Sequence, residues 1–350
     1  MLRPAYRLTI GDQVIDTTVE PKASTVVEIV VRSDLGTPAD EVTIVAGQVG
    51  ALTAVPGADA RVELGYSDAD PALVVVFTGT VVAVEPDLRT TRIIAHSRAD
   101  ALLRTRMDRT FEDTTAGDVV RALADAAGVT VARADAGPSL HAYVVDGRRD
   151  ACRHVRDLAA LAGVDTYFTP DGELVFEAFG GTRSVHVLRY GEHVLEADLT
   201  RIRPVAGTVT AFGESPGGSR GDESWAWLTK DFTSFAGTSG TDAPTLLLER
   251  GSLRTAAGAA TAAQALAEHL AATAVTGRVR IQGRPQLALG ALVRLEDFPD
   301  RPDAGVPDGN HQVSAVEHRL EKTHGFTTDV WLRSLVGAAA AATTATGGAP

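Results

Sequence analysis

The chain has 350 residues, of which 44% are hydrophobic and 22% are charged, a balance typical of a folded globular protein rather than a disordered one. Its 45 acidic residues outnumber its 33 Lys and Arg residues, and the resulting net charge of −12 disfavours nonspecific binding to nucleic acid or anionic lipid. Aromatic residues make up only 5%. The length predicts about two or three domains, and cores built from β-branched and small side chains favour sheets.

The first hundred residues have the pattern of a β domain. Polar and apolar residues alternate from residue 6 to residue 10, and further short β-type runs follow, separated by turn residues. Residues 72–84 are apolar almost throughout and contain Gly79, which predicts a long strand with a bulge at the glycine. We therefore predict a first β-barrel domain over residues 1–105.

The periodicity becomes helical after residue 115. Apolar residues four apart between 119 and 127 form one helix face, Thr115 and Asp118 fit a capping box, and Gly128 fits a left-handed C-terminal cap. A second helix is predicted from an N-cap at Asp150 to Gly163, followed by a hairpin over 166–176. The sequence thus predicts a small α/β unit over residues 106–178.

The remainder of the chain returns to short β-type runs, which predict a second β-barrel domain over 179–213 and 276–335. Between these two parts, residues 214–275 are predicted to be a loop excursion, irregular through 237–240, followed by an Ala-rich helix over 256–274. The small-residue tail, 336–350, is predicted to be disordered.

The sequence contains few candidates for chemistry. The single cysteine, Cys152, cannot form an internal disulfide and is interpreted as a buried core residue. The histidines show no paired spacing for a metal, and His318 and His324 are predicted to lie exposed beside a turn. Four aspartates near residue 300 miss the calcium-loop pattern and are interpreted as turn residues: Asp297, Asp300, Asp303 and Asp308. We expect no cofactor and no metal.

Two features leave other functions open. Residues 217–221 have the G-x-S-x-G spacing of a nucleophile elbow around Ser219, but the apolar helix that an elbow requires does not follow. A hydrolase acting on cell-wall polymers or esters is one alternative. Trp225 and Trp227 could stack on a sugar ring in a carbohydrate-binding β protein, or they could pack against a neighbouring subunit.

The order of several motifs resembles a known family. FEDTTAGDVVR at residues 111–121 leads into a helix ending at 126–129, and this resembles a motif of late control gene D-type phage tail proteins and of the hub part of VgrG spikes. LAALAG at 158–163, followed by the hairpin, is similar to the next helix of that family.

The resemblance continues in collinear order over about residues 5 to 335. Its later segments are LRYGEHVLE at 188–196, LGALVRL at 289–295, GNHQVSAVEH at 309–318 and GFTTDV at 325–330. It implies structural roles for ten motif residues: Phe111, Asp113, Asp118, Gly128, Leu158, Gly163, Gly191, Gly290, Gly309 and Gly325.

The resemblance implies a mainly β fold with an α+β insertion, in which two related tube-like β-barrel domains and the α/β unit assemble as a trimeric, pseudo-sixfold ring. The implied function is a non-enzymatic baseplate hub that adapts a sixfold tail tube to a threefold spike. The implied partners are the inner tail-tube protein, a spike protein and other baseplate components. Because VgrG-type spikes continue past the hub and this chain ends soon after Leu335, we expect the spike to be a separate polypeptide.

The sequence leaves open whether the apparatus is a phage tail or a phage-derived contractile injection system, and whether its lumen passes DNA or protein cargo. Residues 1–12 lack the apolar region of a secretion signal, and no run of about 18 apolar residues provides a membrane anchor. We therefore expect the chain to be cytoplasmic until it is assembled into a particle.

Overall fold

The structure is a computed structural model that describes residues 3–20, 25–47, 52–179, 185–216, 228–230, 236–299 and 309–335. These ranges are mainly β, as the sequence predicts. The strands before the first long helix are β1 (Pro4–Ile10), β2 (Gln13–Asp16), β3 (Val26–Asp34), β4 (Glu41–Gly47), β5 (Asp59–Tyr66), β6 (Leu73–Pro86), β7 (Thr90–Ser97) and β8 (Arg109–Thr115). The helices are α1 (Ala99–Arg104), α2 (Ala116–Ala126), α3 (Ala151–Ala162) and α4 (Ala256–Ala272).

The remaining strands alternate with the later helices. Those before α4 are β9 (Val131–Ala134), β10 (Ser139–Val145), β11 (Asp165–Phe168), β12 (Leu174–Glu177), β13 (Val185–Arg189), β14 (Val194–Arg201), β15 (Thr208–Phe212), β16 (Glu214–Pro216), β17 (Leu228–Lys230), β18 (Gly237–Gly240) and β19 (Thr245–Glu249). After α4 come β20 (Val275–Gln282), β21 (Leu292–Glu296), β22 (Gly309–Glu321) and β23 (Gly325–Ser334).

The helix ends lie where the capping residues predict them. The Thr115 hydroxyl accepts a hydrogen bond from the Asp118 amide at the start of α2, and Gly128 follows the helix with φ +67°. At α3 the Asp150 carboxylate accepts from the Arg153 amide, and Gly163 has φ +69°. Both helices bury the apolar stripe that their spacing predicts.

One strongly curled sheet of 13 strands dominates the fold. Its main path runs β14-β20-β23-β22-β3-β4-β7-β6-β5-β1-β2, and β21 joins β13 to β22 beside this path. The sheet is therefore continuous across the two halves of the chain. Describing its halves as two barrel domains remains a prediction.

The large sheet contains an internal repeat. Across the sheet, one group of five strands lies in the order β5-β6-β7-β4-β3, and a second group lies in the order β21-β22-β23-β20-β14. When the strands of each group are numbered along the chain, both orders read third, fourth, fifth, second, first. Register shifts occur at matching places, between Val26 and Glu28 on β3 and between Val194 and Glu196 on β14. The two five-stranded units, which we call the first and second repeat, therefore correspond strand by strand.

Among the described strands, one pairing joins the two repeats. The first part of β22 pairs with β21 of its own repeat, whereas the part from Ala315 to Glu321 pairs antiparallel with β3 of the other repeat. We call this pairing of β22 with β3 the internal junction.

Three hydrophobic cores support this arrangement. The first repeat encloses a cluster that includes Leu8, Ile44 and Ile93, and the second repeat encloses a smaller one around Val279 and Leu332. The third core lies among the four helices, the short strands β8 to β12, and β15. Alternation places apolar side chains on one face of the large sheet and charged side chains on the other.

The helical region is tied to the large sheet by polar contacts. Arg333 on β23 donates to both carboxylate oxygens of Asp165 on β11 at 2.6 Å, and Gln312 on β22 also donates to Asp165 at 2.6 Å. On the other side, the Arg156 guanidinium donates to the backbone carbonyls of Gly36 and Thr37. These contacts fix α3 and its hairpin against both repeats.

Two local predictions are wrong. Gly79 does not form a bulge. The register of β6 shifts against β5 opposite the step from Val62 to Glu63, and it shifts against β7 at Val82. Glycine is needed there because a Cβ would lie 2.0 Å from the His96 carbonyl oxygen. Residues 237–240 are not irregular but form β18, where a Cβ on Gly237 would collide with the backbone of α4.

Several short strands had no counterpart in the sequence interpretation, among them β8, β9 and β10. The tail at 336–350 and the residues of the G-x-S-x-G match lie outside the described residues.

Candidate assembly surface

The charged side of the large sheet, which we call the polar face, carries ion pairs along strands of both repeats. Its ion-paired side chains include ten carboxylates and seven guanidiniums: Asp16, Glu28, Asp34, Glu41, Glu63, Glu85, Glu196, Glu317, Glu321 and Asp329, with Arg7, Arg32, Arg61, Arg92, Arg278, Arg280 and Arg319. The carboxylates of this set exceed its guanidiniums by three, a small part of the net charge of −12 that the chain carries. The polar face therefore does not concentrate the excess acidity of the chain.

Arg319 forms the centre of the polar face at the internal junction. Its Nη1 lies 2.6 Å from Glu28 Oε1 across the junction, and its Nη2 lies 3.0 Å from Glu317 Oε1 on the same strand. Glu321 lies 3.3 Å from the same guanidinium. Three carboxylates thus surround one guanidinium, and the pairing holds β22 and β3 in register.

A second cluster lies on the second repeat. Arg280 donates to both carboxylate oxygens of Asp329 at 3.0 and 3.1 Å, and the Asp329 side chain is only 3% exposed. Glu196 on β14 accepts ion pairs from Arg278 at 3.1 Å and Arg280 at 3.3 Å. A bidentate pair of this kind adds geometric specificity, so β14, β20 and β23 are locked together.

Three strands of the large sheet have one strand neighbour each in the described part of the chain: β14 and β2 at the two ends of the main path, and β13 beside it. Apolar side chains are exposed on and just after β14, with Leu195 61%, Ile202 48% and Val205 72% exposed. Open strand edges are templates for pairing with another chain. These edges, together with the polar face, form the candidate assembly surface.

The buried titratable groups serve the packing of the junction. Burial raises the pKa of Asp40 to about 7 and lowers the pKa of His318 to about 4. The prediction that His318 is exposed is wrong, because β22 carries it into the interior, where its ring nitrogens bond with the Thr328 hydroxyl and the Leu287 carbonyl. His324 is exposed at the turn, as predicted.

Cys152 is buried, in agreement with its interpretation as a core residue. Burial raises the pKa of its thiol to about 11, and the thiol donates to the Pro38 carbonyl at 3.7 Å. A thiol held in this protonated form is a poor nucleophile. Cys152 therefore packs α3 against the loop before β4.

The motif residues of the helical region occupy capping and packing positions. Phe111 is buried on β8, with Arg109 over its ring at 4.5 Å, and Asp113 has φ +44° and pairs with His141 at 2.7 Å. Asp118 caps α2, and Leu158 lies fully buried on α3. A Cβ on Gly163 would lie 2.8 Å from the Cβ of Ala265 on α4.

The four other motif glycines lie at turns of the second repeat. Gly191 lies between β13 and β14, Gly290 precedes β21, and Gly309 and Gly325 begin β22 and β23. All four have positive φ, from +73° to +143°. Their placement fits a role in chain reversal. The structure brings these residues to separate turns, so they do not form one site.

The remaining candidate residues lie outside the described residues: Ser219, Trp225, Trp227, Asp300, Asp303 and Asp308. Asp297 lies just after β21 with φ +62°. In the described ranges, no group of three or more His, Cys, Asp and Glu side chains is arranged to hold a metal ion. None of the helices described is both long enough and apolar enough to cross a membrane.

Solved structures show which proteins share this fold. The chain is similar to the 43 kDa tail protein of prophage MuSo2 from Shewanella oneidensis, with a TM-score of 0.68 and 16% identity over 94% of this chain and 98% of that one. It is equally similar to a tail protein from Neisseria meningitidis MC58, with a TM-score of 0.69 and 15% identity over 95% and 97%.

A third similar structure is the E. coli c3393 protein, a component of the type VI secretion system that itself resembles the T4 bacteriophage tail proteins gp27 and gp5. Its TM-score is 0.61, with 11% identity over 94% of this chain and 77% of that one. No protein-family model matches the sequence, and no curated protein is similar to it. The chain has the fold of phage tail proteins, shared with a type VI secretion component, over nearly its whole length.

Proposed function

We propose that the chain is the structural baseplate hub of a phage tail or of a phage-derived contractile injection system. The observation that carries the proposal is the fold, which matches two tail proteins over 94–95% of this chain and 97–98% of theirs. The collinear motifs over about residues 5 to 335 support the more specific assignment to a hub of the late control gene D type.

The internal repeat gives this hub a physical basis. Because each chain carries two corresponding five-stranded units, three chains would present six similar units around one axis. Such a ring matches a sixfold tail tube on one side and a threefold spike on the other. We include in the proposal the division into two β-barrel domains, the α/β unit and the excursion between them.

The polar face suits the lining of the channel in such a ring. Its charges are paired within the sheet, so a passing polymer meets neither an excess of guanidiniums nor a bare row of carboxylates. A small net charge avoids strong attraction to nucleic acid and to either sign of protein surface. The channel would therefore pass either cargo without retaining it.

The role proposed is non-enzymatic, with no cofactor. The partners are further copies of the chain, an inner tail-tube protein, a separate spike protein and other baseplate components, in a particle assembled in the cytoplasm. The charged groups on the polar face hold neighbouring strands together and in register, because each described guanidinium pairs with a carboxylate of the same surface or of an adjacent loop.

The test is the absolute mass of the purified full chain by light scattering over a concentration series, followed by copurification with the tail-tube and spike proteins of the same genome. A species of three chains that retains the tube protein supports the proposal. A tight dimer at every concentration, or a three-chain species that binds neither tube nor spike, contradicts it.

A further inference from the structure

The internal junction is a template for a contact that the single chain leaves incomplete. In the first repeat, β6 is the counterpart of β22. Each is the longest strand of its repeat, and each has a register shift against the following strand directly after Val81 or Val313. The two strands also make matching backbone hydrogen bonds. The Val81 amide donates to the Ala58 carbonyl, and the Val313 amide donates to the Ala291 carbonyl.

Beyond these bonds the two strands differ in what covers them. After Val313, the free side of β22 pairs with β3 along the internal junction. After Val81, residues 82–86 of β6 pair with β7 on one side and have no strand on the other in the described part of the chain. The first repeat therefore presents the counterpart of this edge of β22, with Pro86 in the place of His318, and no strand of the described ranges covers it.

The complementary edge is β14, the counterpart of β3. Ala197 corresponds to Ile29, because each pairs with the matching residue of the next strand, Val279 or Ile44. Ile29 is fully buried beside Leu320 of the internal junction, whereas Ala197 is exposed. The difference arises because β22 covers β3, whereas no strand among the described residues covers the outer side of β14.

The exposed tip of the β6–β7 hairpin shows the same difference. Leu88 is 89% exposed. When β6 and β22 are aligned at their register shifts, Leu88 corresponds to Leu320, which is 7% exposed. An open strand edge is a template for pairing with another chain, and Leu88 lies next to this one. The hairpin is shorter than its counterpart, so Leu88 lies at its end.

We propose that residues 82–86 of one chain pair antiparallel with β14 of a second copy of the chain, repeating the internal junction between subunits. Applying the register of the internal junction places Glu85 opposite Thr200 and Val84 opposite Arg201, since Glu317 lies opposite Arg32 and Val316 opposite Ser33. The contact is head-to-tail, so it must close into a ring or extend as a filament. The inference rests on the proposed hub function and adds to it the contact between subunits.

The register can be tested by disulfide cross-linking, because directly opposed residues of an antiparallel pair lie within the Cα separation that a disulfide spans. The test variant is the full chain with Glu85→Cys and Thr200→Cys, both exposed positions. The native Cys152 is buried and gives no background. Under mild oxidation we expect a reducible band of three chains and none larger.

Two matched variants control this test. In the variant Glu85→Cys with Arg201→Cys, one thiol is shifted by a single residue and so lies on the opposite face of β14. We expect this variant to form no cross-link between chains. Arg32→Cys with Glu317→Cys occupies the equivalent pair in the internal junction. We expect the two introduced thiols of that variant to form a disulfide within one chain, so that it still runs as a single chain.

The outcomes separate the inference from the proposed function. The protein could form a three-chain species by light scattering while Glu85→Cys with Thr200→Cys fails to cross-link, or cross-links no better than the shifted pair. That result overturns the register and leaves the hub proposal standing. One-chain mass with no cross-linked species at any concentration overturns the inferred contact, and it overturns the proposed function as well when the chain copurifies with neither the tube nor the spike protein. A ladder of bands beyond three chains overturns ring closure.

Discussion

The ion pair between Asp165 and Arg333 connects the helical region to the large sheet. The two side chains are 15% and 18% exposed and meet at 2.6 Å, with Gln312 donating to the same carboxylate. Breaking a fully buried pair costs about 3–5 kcal/mol, and an exposed pair contributes about 0–1 kcal/mol. We expect Asp165→Asn to lower the free energy of unfolding by about 2–3 kcal/mol, since it leaves a largely buried guanidinium uncompensated.

The assay is urea unfolding of Asp165→Asn, Arg333→Met and the double variant, each compared with the original chain. The double variant should lose less than the sum of the single ones, because it leaves no unpaired charge. Asp157→Asn is the matched control. Asp157 pairs with Arg149 at 2.8 Å, but both side chains are more than 40% exposed, so its loss should cost less than about 1 kcal/mol. Equal effects of Asp165→Asn and Asp157→Asn would refute the reasoning.

Three further outcomes are expected. Thr115→Ala removes the N-cap of α2 and should cost about 1 kcal/mol in thermal unfolding, whereas Thr115→Ser should cost less. Leu158→Ala opens a cavity in the helical core and should cost about 2–5 kcal/mol, and a loss below about 1 kcal/mol would contradict its full burial. Because burial raises the pKa of Asp40 from 3.8 to about 7, the folded chain keeps a proton that the unfolded chain releases. The free energy of unfolding should therefore fall from about pH 4 to about pH 7 by on the order of 4 kcal/mol, and Asp40→Asn should remove this fall in pH-dependent urea midpoints.

Local signals in the sequence predicted the local elements well. The caps at Thr115, Asp150 and Gly163 depend on side-chain hydrogen bonds and left-handed backbone within a few residues, so sequence spacing is sufficient to locate them. The mainly β character follows from alternation in the same way. The resemblance of the motifs to phage tail proteins led to the fold that the solved structures share.

Close approaches between distant segments produced the errors. Gly79 looks like a bulge residue in a long apolar strand, but it is required by the His96 carbonyl, 17 residues later in the chain. Residues 237–240 look like a loop, yet β15 gives them an edge to pair with and α4 lies against their glycine. His318 appears polar and close to a turn, and only the direction of β22 shows that it points inward.

The sequence by itself determined the kind of element for the longer segments, such as α2, α3 and the strands of the first repeat, because a strand or a helix of this length is specified by side-chain periodicity and caps over about ten residues. Only the tertiary structure decided which strands are neighbours. The pairing of β22 with β3 joins residues almost 300 positions apart, and the matching open edges of β6 and β14 can be seen only once both repeats are aligned. The physical reason is that backbone edges are chemically alike in every strand, so partner and register are chosen by how the buried faces pack together.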